Sequence, residues 1–264
     1  MDLAGKVAIV TGGASGLGRA TVEAYVAKGV KVAIFDMNED KANEVIDELG
    51  ADNVAFWNVN VADEDSVKAA VEGVVEKFGA IHVCNNYAGI GNACKTYGKK
   101  GVFPLDQYML VININLVGTF NVSRYAAEQM SKNDPINDDG GRGVIINTAS
   151  VAGLMAGCEA YSLPNAAPYG TAKHGIIGLT RHAAVAYAKD GIRINAIAPG
   201  AHLTWPISFP REEMEKLNEH MSGFIPMGRA GDPKEIRGLA VYLASDASSY
   251  VTGHTIVQDG GFIA

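Results

Sequence analysis

Thr11-Gly12-Gly13-Ala14-Ser15-Gly16-Leu17-Gly18 separates a β-branched run at 6–10 from a segment at 19–28 with Ala20, Val22, Ala24, Tyr25 and Ala27 at helical spacing. Strand, glycine turn, helix is the place where bare backbone N–H groups can approach a pyrophosphate at the positive end of a helix. The spacing is GxxxGxG rather than GxGxxG, so the context carries more weight than the pattern itself.

Reading onward, Gly29 closes the helix, 31–35 forms a second strand, and 38–49 is a charged amphipathic helix ended by Gly50. The alternation continues with a strand at 54–59, a helix at 63–78 closed by Gly79, and a strand at 81–84. A long helix at 108–130, a strand at 143–148, a second long helix at 169–189 and a strand at 193–197 follow. Repeated βα order predicts an α/β fold: a single Rossmann-like, doubly wound parallel sheet with helices on both faces. Two stretches break the rhythm. Residues 131–143 cluster Asn, Asp, Pro and Gly and read as an exposed, peripheral loop. Residues 201–226 follow a Pro-Gly pair and mix aromatic residues with charges, as expected of a substrate lid.

The chain has 264 residues, 48% hydrophobic and 19% charged, enough to bury one large core, and no linker or repeat divides it, so 1–264 is read as one catalytic domain. With 29 acidic against 22 basic residues and no basic run longer than Lys99-Lys100, nucleic acid and anionic membranes are not expected partners. No apolar stretch approaches the roughly 18 residues that span a bilayer, and the opening lacks a basic region before an apolar one, so a cytoplasmic protein is expected. Cys84, Cys94 and Cys158 match neither a disulfide framework nor a zinc pattern, and no metal is expected.

Asp36 ends the second strand about 20 residues beyond the glycines, where a carboxylate can accept hydrogen bonds from an adenosine ribose. It would repel a 2′-phosphate, and no Arg or Lys lies in the loop or directly after Asp36, so NAD is favoured over NADP. Of the ten tyrosines, Tyr169 has a lysine four places on, Lys173, which stacks both on one helix face. Spacing alone fits equally a Tyr and a Lys packed along a helix surface.

Thr11 to Gly18, Asn115, Ser150, Tyr169 and Lys173, in this order, resemble the short-chain dehydrogenase/reductase family across essentially the whole chain. The segments 111–120 (VININLVGTF) and 145–153 (IINTASVAG), Tyr169-Gly170-Thr171-Ala172-Lys173, Pro199-Gly200, Val251-Thr252-Gly253 and Asp259-Gly260-Gly261 match as well. The resemblance implies that Tyr169 is general base in alcohol oxidation and general acid in carbonyl reduction, while Ser150 orients the substrate oxygen. Lys173 would hold the nicotinamide ribose and lower the Tyr169 pKa, since an ammonium about 4 Å away at a dielectric of about 20 contributes on the order of 4 kcal/mol. Asn115 would hold a water linking Lys173 to solvent.

The same resemblance places Gly12, Ser15, Gly16, Leu17, Gly18, Asp36, Met37, Asn60, Val61, Asn86, Ala88, Gly89, Tyr169, Lys173, Pro199, Gly200 and Thr204 at the cofactor, with Thr204 reaching the carboxamide. Tyr87 departs from the second Asn of the family's NNAG turn, and Asn60 stands where an Asp usually faces the adenine amino group. Ser150 and Tyr169 lie 19 positions apart, wider than the family spacing, so 157–168 contains an insertion beside the site. Ile90, Gly91, Ala152, Leu154, Met155, Tyr161, Leu163, Trp205, Ile207 and Phe209 would line a largely apolar pocket for a neutral secondary alcohol or ketone, such as a steroid, terpenoid, cyclic diol or aliphatic alcohol. The leading expectation is an NAD-dependent alcohol dehydrogenase acting as a homotetramer. The alternatives are a carbonyl reductase and a non-catalytic dinucleotide sensor.

Overall fold

The computed structural model describes residues 2–91, 95–99, 101–155, 167–204 and 211–264. Seven parallel strands form one sheet: β1 (Val7–Thr11), β2 (Lys31–Asp36), β3 (Val54–Asn58), β4 (Val83–Asn86), β7 (Gly143–Thr148), β8 (Ile192–Pro199) and β9 (Thr255–Gln258). A small antiparallel hairpin, β5 (Tyr97–Gly98) and β6 (Gly101–Val102), lies apart from it. The spatial order is β3-β2-β1-β4-β7-β8-β9, so the winding direction reverses between β1 and β4. Ligands of such sheets bind at that reversal, beyond the carboxyl ends of the strands.

Successive strand residues point to opposite faces, and two cores result. Ala8, Val10, Val32 and Ile34 pack with Val22 and Tyr25 of α1 (Gly16–Val26), Val45 of α2 (Glu39–Leu49) and Leu243 of α8 (Ile236–Ala244). Val7, Ile9, Ala33 and Phe35 pack with Val67, Val71 and Val74 of α3 (Glu64–Phe78) and with Val122, Ala126 and Met130 of α5 (Gly118–Ser131). The doubly wound sheet is thus as expected, and so are its local stops and starts. Asn38 Oδ1 accepts the Lys41 N–H, Asp63 Oδ1 accepts the Ser66 N–H, and Gly79 ends α3 at φ 86°.

Several expectations are corrected. The fourth strand runs Val83–Asn86 rather than 81–84, because the following turn keeps Asn85 and Asn86 in register with Val10 and Thr11. The expected helix at 108–130 starts at Leu105 as α4 (Leu105–Ile112) and passes through a π-helical segment, Asn113–Val117, before α5. The sheet continues through β9, and α8 precedes it; neither was expected.

Residues 131–142 are exposed or half-buried, as expected of a loop, but they are tied to the sheet. Asn133 Nδ2 donates to the carbonyls of Ile81 and Arg142, at 2.8 and 2.9 Å. Asn137 bridges Asp246 Oδ1 (2.9 Å) and the Gly141 N–H (2.8 Å), and Ile136 packs on the core. Two of the residues that mark a loop, Asn133 and Asn137, supply side-chain bonds that hold it against the amino ends of β4 and β7.

Candidate active site

The first residue of α1 follows directly on the glycine turn. Gly12 and Gly16 have φ of +64° and +54°, the left-handed region that glycine adopts without strain. A Cβ on Gly18 would lie 2.1 Å from the Gly12 carbonyl oxygen, so the loop folds back on itself only with glycine there. Ser15 occupies the N-cap position of α1 but makes no side-chain cap bond, which leaves the first-turn N–H groups without a side-chain partner. A bare, glycine-lined helix start at the sheet's reversal point fits a dinucleotide pyrophosphate.

Asp36 holds this cradle: its carboxylate accepts the Ala14 N–H (3.1 Å) and the Asn38 N–H (3.0 Å), joining the loop to the turn after β2. Met37 beside it is 67% exposed. Asn60 Oδ1 accepts the Ala62 N–H, and the Val61 carbonyl accepts from Asn121 Nδ2, so both acceptors expected to face an adenine already carry one bond. A carbonyl-type oxygen keeps a second lone pair for a ligand.

Beyond β4, the Thr11 hydroxyl accepts the Ala88 N–H at 3.0 Å, and a Cβ on Gly12 would reach 3.0 Å from that same nitrogen, so the two strand ends are in contact across the reversal. The Asn86 side chain faces inward instead: Nδ2 donates to Ser123 Oγ (3.0 Å) and Asn147 Oδ1 (2.9 Å), and Asn147 Nδ2 donates to Thr180 Oγ1 (3.0 Å). This buried chain joins β4, α5, β7 and α6 (Ala167–Tyr187). Ser123, Asn147 and Thr180 were missed from the sequence; a run of polar residues on otherwise apolar faces was the available signal. Tyr87 finds its own partner, Thr21 Oγ1 at 2.9 Å on α1, and burial pushes its phenol up to about 12.

Asn115 is fully buried in the π-helical segment, and its amide is matched atom for atom to one residue: Oδ1 accepts the Ile90 N–H (2.7 Å) and Nδ2 donates to the Ile90 carbonyl (2.8 Å). Its carbonyl accepts the Thr119 hydroxyl at 2.7 Å. A Cβ on Gly89 would sit 2.9 Å from Asn115 Oδ1, which explains the glycine.

Ser150 follows β7, 8% exposed, with its hydroxyl accepting the Ala152 N–H at the start of a 3-10 turn, Val151–Gly153. A Cβ on Gly153 would come 2.7 Å from the Lys173 carbonyl, so this turn lies directly on α6, the helix carrying Tyr169 and Lys173. Ser150 and Tyr169 meet despite their wide spacing. Burial pushes the Tyr169 phenol up, while its hydrogen bond with Ser150 draws it down.

Lys173, 4% exposed, donates from Nζ to the Thr148 carbonyl at 2.7 Å, and Nζ stands 5.4 Å from the centre of the Tyr169 ring. Burial draws its ammonium down to about 8. The expected lowering of Tyr169 by Lys173 is therefore not found in the protein alone. A dry site disfavours phenolate and ammonium alike, and desolvation outweighs their attraction.

At the end of β8, Pro199 and Gly200 lead to Thr204, whose Cβ lies 3.4 Å from where a Gly16 Cβ would be. Thr204 is thus brought across to the start of α1. Of the residues expected to line the substrate pocket, Ile90, Gly91, Ala152, Leu154 and Met155 are described, whereas Tyr161, Leu163, Trp205, Ile207 and Phe209 lie outside the described residues, as does most of the insertion. Among the described residues, no helix is long and apolar enough to cross a membrane, and no group of three His, Cys, Asp or Glu residues could hold a metal ion.

Residues 12–263 match the family described as enoyl-(acyl carrier protein) reductase. The chain is 38% identical over 263 residues to 2,5-dichloro-2,5-cyclohexadiene-1,4-diol dehydrogenase of Sphingobium indicum, covering 100% of this chain and 99% of the relative. It is 42% identical over 262 residues to 3-hydroxyacyl-CoA dehydrogenase type-2 of Drosophila melanogaster, covering 96% of each. A solved short-chain type dehydrogenase/reductase from Mycobacterium marinum superposes with a TM-score of 0.84 at 31% identity, over 100% of this chain and 97% of that one.

Proposed function

Because the chain belongs to the short-chain dehydrogenase/reductase family of oxidoreductases, which use nicotinamide dinucleotides, we propose that it is an NAD-dependent dehydrogenase of neutral secondary alcohols, cyclic alcohols and diols foremost. One observation carries the reading: Ser150, Tyr169 and Lys173 converge at the carboxyl end of β7, Tyr169 hydrogen-bonded to Ser150 and Lys173 to the Thr148 carbonyl. When bound, the nicotinamide supplies a hydride acceptor. The protein's share is the proton and its placement. Ser150 Oγ donates to the substrate oxygen, and Tyr169 Oη takes the hydroxyl proton as the alcohol is oxidised.

Burial holds Tyr169 as the neutral phenol, which has no vacant site for the alcohol proton, so formation of its phenolate is assigned to positive charge arriving with the nicotinamide together with the Lys173 ammonium. Lys173, at about 8, is mostly charged at pH 7 and is placed by the Thr148 carbonyl to hold the nicotinamide ribose. Asn115 keeps the Ile90 edge of the pocket fixed and is also assigned the water that links Lys173 to solvent. The preference for NAD rests on Asp36, whose carboxylate would oppose a 2′-phosphate, with exposed Met37 next to it instead of a cation.

The kinship with a hydroxyacyl-CoA dehydrogenase favours a second substrate class, a 3-hydroxyacyl thioester, at the same catalytic set. We further read 1–264 as one cytoplasmic catalytic unit with a lid at 201–226. It assembles as a homotetramer through α5 and α6, where Phe120 and Val185 are 48% and 82% exposed.

The test is NADH absorbance with NAD or NADP over a panel of cyclic diols, cyclohexanols, steroids and 3-hydroxyacyl thioesters. Turnover with NAD that disappears in Tyr169→Phe, while NADH still binds, is the expected result. Turnover that survives in Tyr169→Phe, or a preference for NADP, overturns the assignment concerned. A stable monomer at micromolar concentration by mass measurement overturns the assembly.

A further inference from the structure

The segment that leaves β8 has no regular structure, yet it has to deliver Thr204 to the start of α1. It is tied from outside at three points. The Gly200 N–H donates to the Gln258 carbonyl, the Gly231 N–H to the Ala201 carbonyl, and the Leu203 N–H to the Gly231 carbonyl, each at 2.9 Å. It is tied from within by His202, which is 8% exposed. The imidazole Nδ1 lies 3.1 Å from the Gly200 carbonyl oxygen, and the Thr204 N–H donates to the His202 carbonyl at 2.7 Å. A carbonyl can only accept, so Nδ1 carries the proton.

The ring has a seat built for it. A Cβ on Gly231 would come 2.7 Å from His202 Cδ2 and 2.8 Å from Nε2, so the imidazole lies against a glycine because nothing larger leaves room for it. Gly231 is in turn fixed by its neighbours. Arg229 and Glu235 form a two-pronged ion pair, both contacts at 2.7 Å, and Asp232 caps the 3-10 turn Pro233–Glu235. A cavity of about 150 Å³ opens beside the ring, lined also by Gln258 and Asp259.

We propose that His202 is a positioning residue for the nicotinamide end of the cofactor site. By folding onto the Gly200 carbonyl and seating on Gly231, its imidazole sets where Thr204 stands relative to Pro199 and Gly200. The adenosine end, held at Asp36, lies beyond the part of the glycine loop that Thr204 meets and is independent of it. The inference rests on the dinucleotide reading above and adds the residue that shapes one half of that site.

ADP-ribose, which lacks the nicotinamide, separates the two halves. Affinities for NADH and ADP-ribose are measured by calorimetry on the wild type, His202→Leu, His202→Asn and Gly231→Ala. His202→Leu is expected to weaken NADH about tenfold while ADP-ribose binding stays within about twofold. His202→Asn, whose amide can still donate to the Gly200 carbonyl, recovers most of the loss. Gly231→Ala produces the same selective loss and adds little in the His202→Leu background, because both changes unseat one ring. It also serves if His202→Leu fails to fold. Equal weakening of both ligands, or of neither, overturns the proposal. A wild type that binds NADH but not ADP-ribose overturns the division into two ends, and one that binds neither overturns the dinucleotide reading and this inference with it.

Discussion

Replacing Asn115 tests how tightly the pocket edge is fixed, because its side chain is fully buried and its two amide atoms meet the two backbone groups of Ile90. Asn115→Ala removes both bonds and leaves an N–H and a C=O to find partners. At about 1–3 kcal/mol for each orphaned group, with Ile90 half-buried and so partly rescued by water, the expected loss of stability is about 2–4 kcal/mol. Asn115→Asp is more informative because its shape is unchanged. An ionised carboxylate still accepts the Ile90 N–H but sets its second oxygen against the Ile90 carbonyl, whereas the protonated acid can donate there. The folded state therefore holds this proton more tightly than the unfolded chain does, which raises the carboxyl pKa on folding. A raised pKa contributes stability below the unfolded value of about 3.9, and that stability is lost as pH rises, by up to about 1.4 kcal/mol per pH unit. Denaturant titrations of wild type and variant from pH 4.5 to 8 should show a gap that widens with pH until it levels off above the folded pKa. A gap independent of pH, or an Ala variant within about 0.5 kcal/mol of wild type, would refute the matched-amide account.

Two further outcomes follow from the geometry. Gly18→Ala places a Cβ 2.1 Å from the Gly12 carbonyl oxygen, so the loop must open, and NADH affinity should fall about 100-fold with the circular dichroism unchanged; retained affinity contradicts the cradle. His82 accepts the Val7 N–H on Nδ1, and burial, with Lys6 nearby, draws its imidazole from 6.5 down to about 4. Its contribution is thus complete above about pH 6.5 and declines as pH falls toward 4. Melting temperatures of His82→Asn should drop less over that range than those of wild type, and equal drops would remove His82 as the cause.

The sheet was readable because parallel, doubly buried strands leave continuous apolar runs, and because the glycine turn marks which strand comes first. Gly50 and Gly79 ended their helices where expected for the same local reason. What escaped depended on contacts between distant segments. The π-helical segment at Asn113–Val117 carries no sequence mark, since it exists to aim Asn115 at Ile90. The depression expected of Tyr169 was a pairwise sum that omitted desolvation, a property of the folded surroundings. The Asn86 side chain serves Ser123 and Asn147, residues 37 and 61 positions away, pairings that no local pattern marks.

The tie between Gly200 and Gln258 bears on how the chain comes off the ribosome. Strand β9 follows the other six in the chain and sits at the sheet's edge, paired with β8 alone. Six strands and the glycine cradle precede β9 and can assemble while it is still in the exit tunnel, since domains fold as their segments emerge. The glycine turn is then in place before the segment carrying Thr204 has its anchor, so a chain truncated before β9 would keep the start of α1 and lose the fixed position of Thr204 against it.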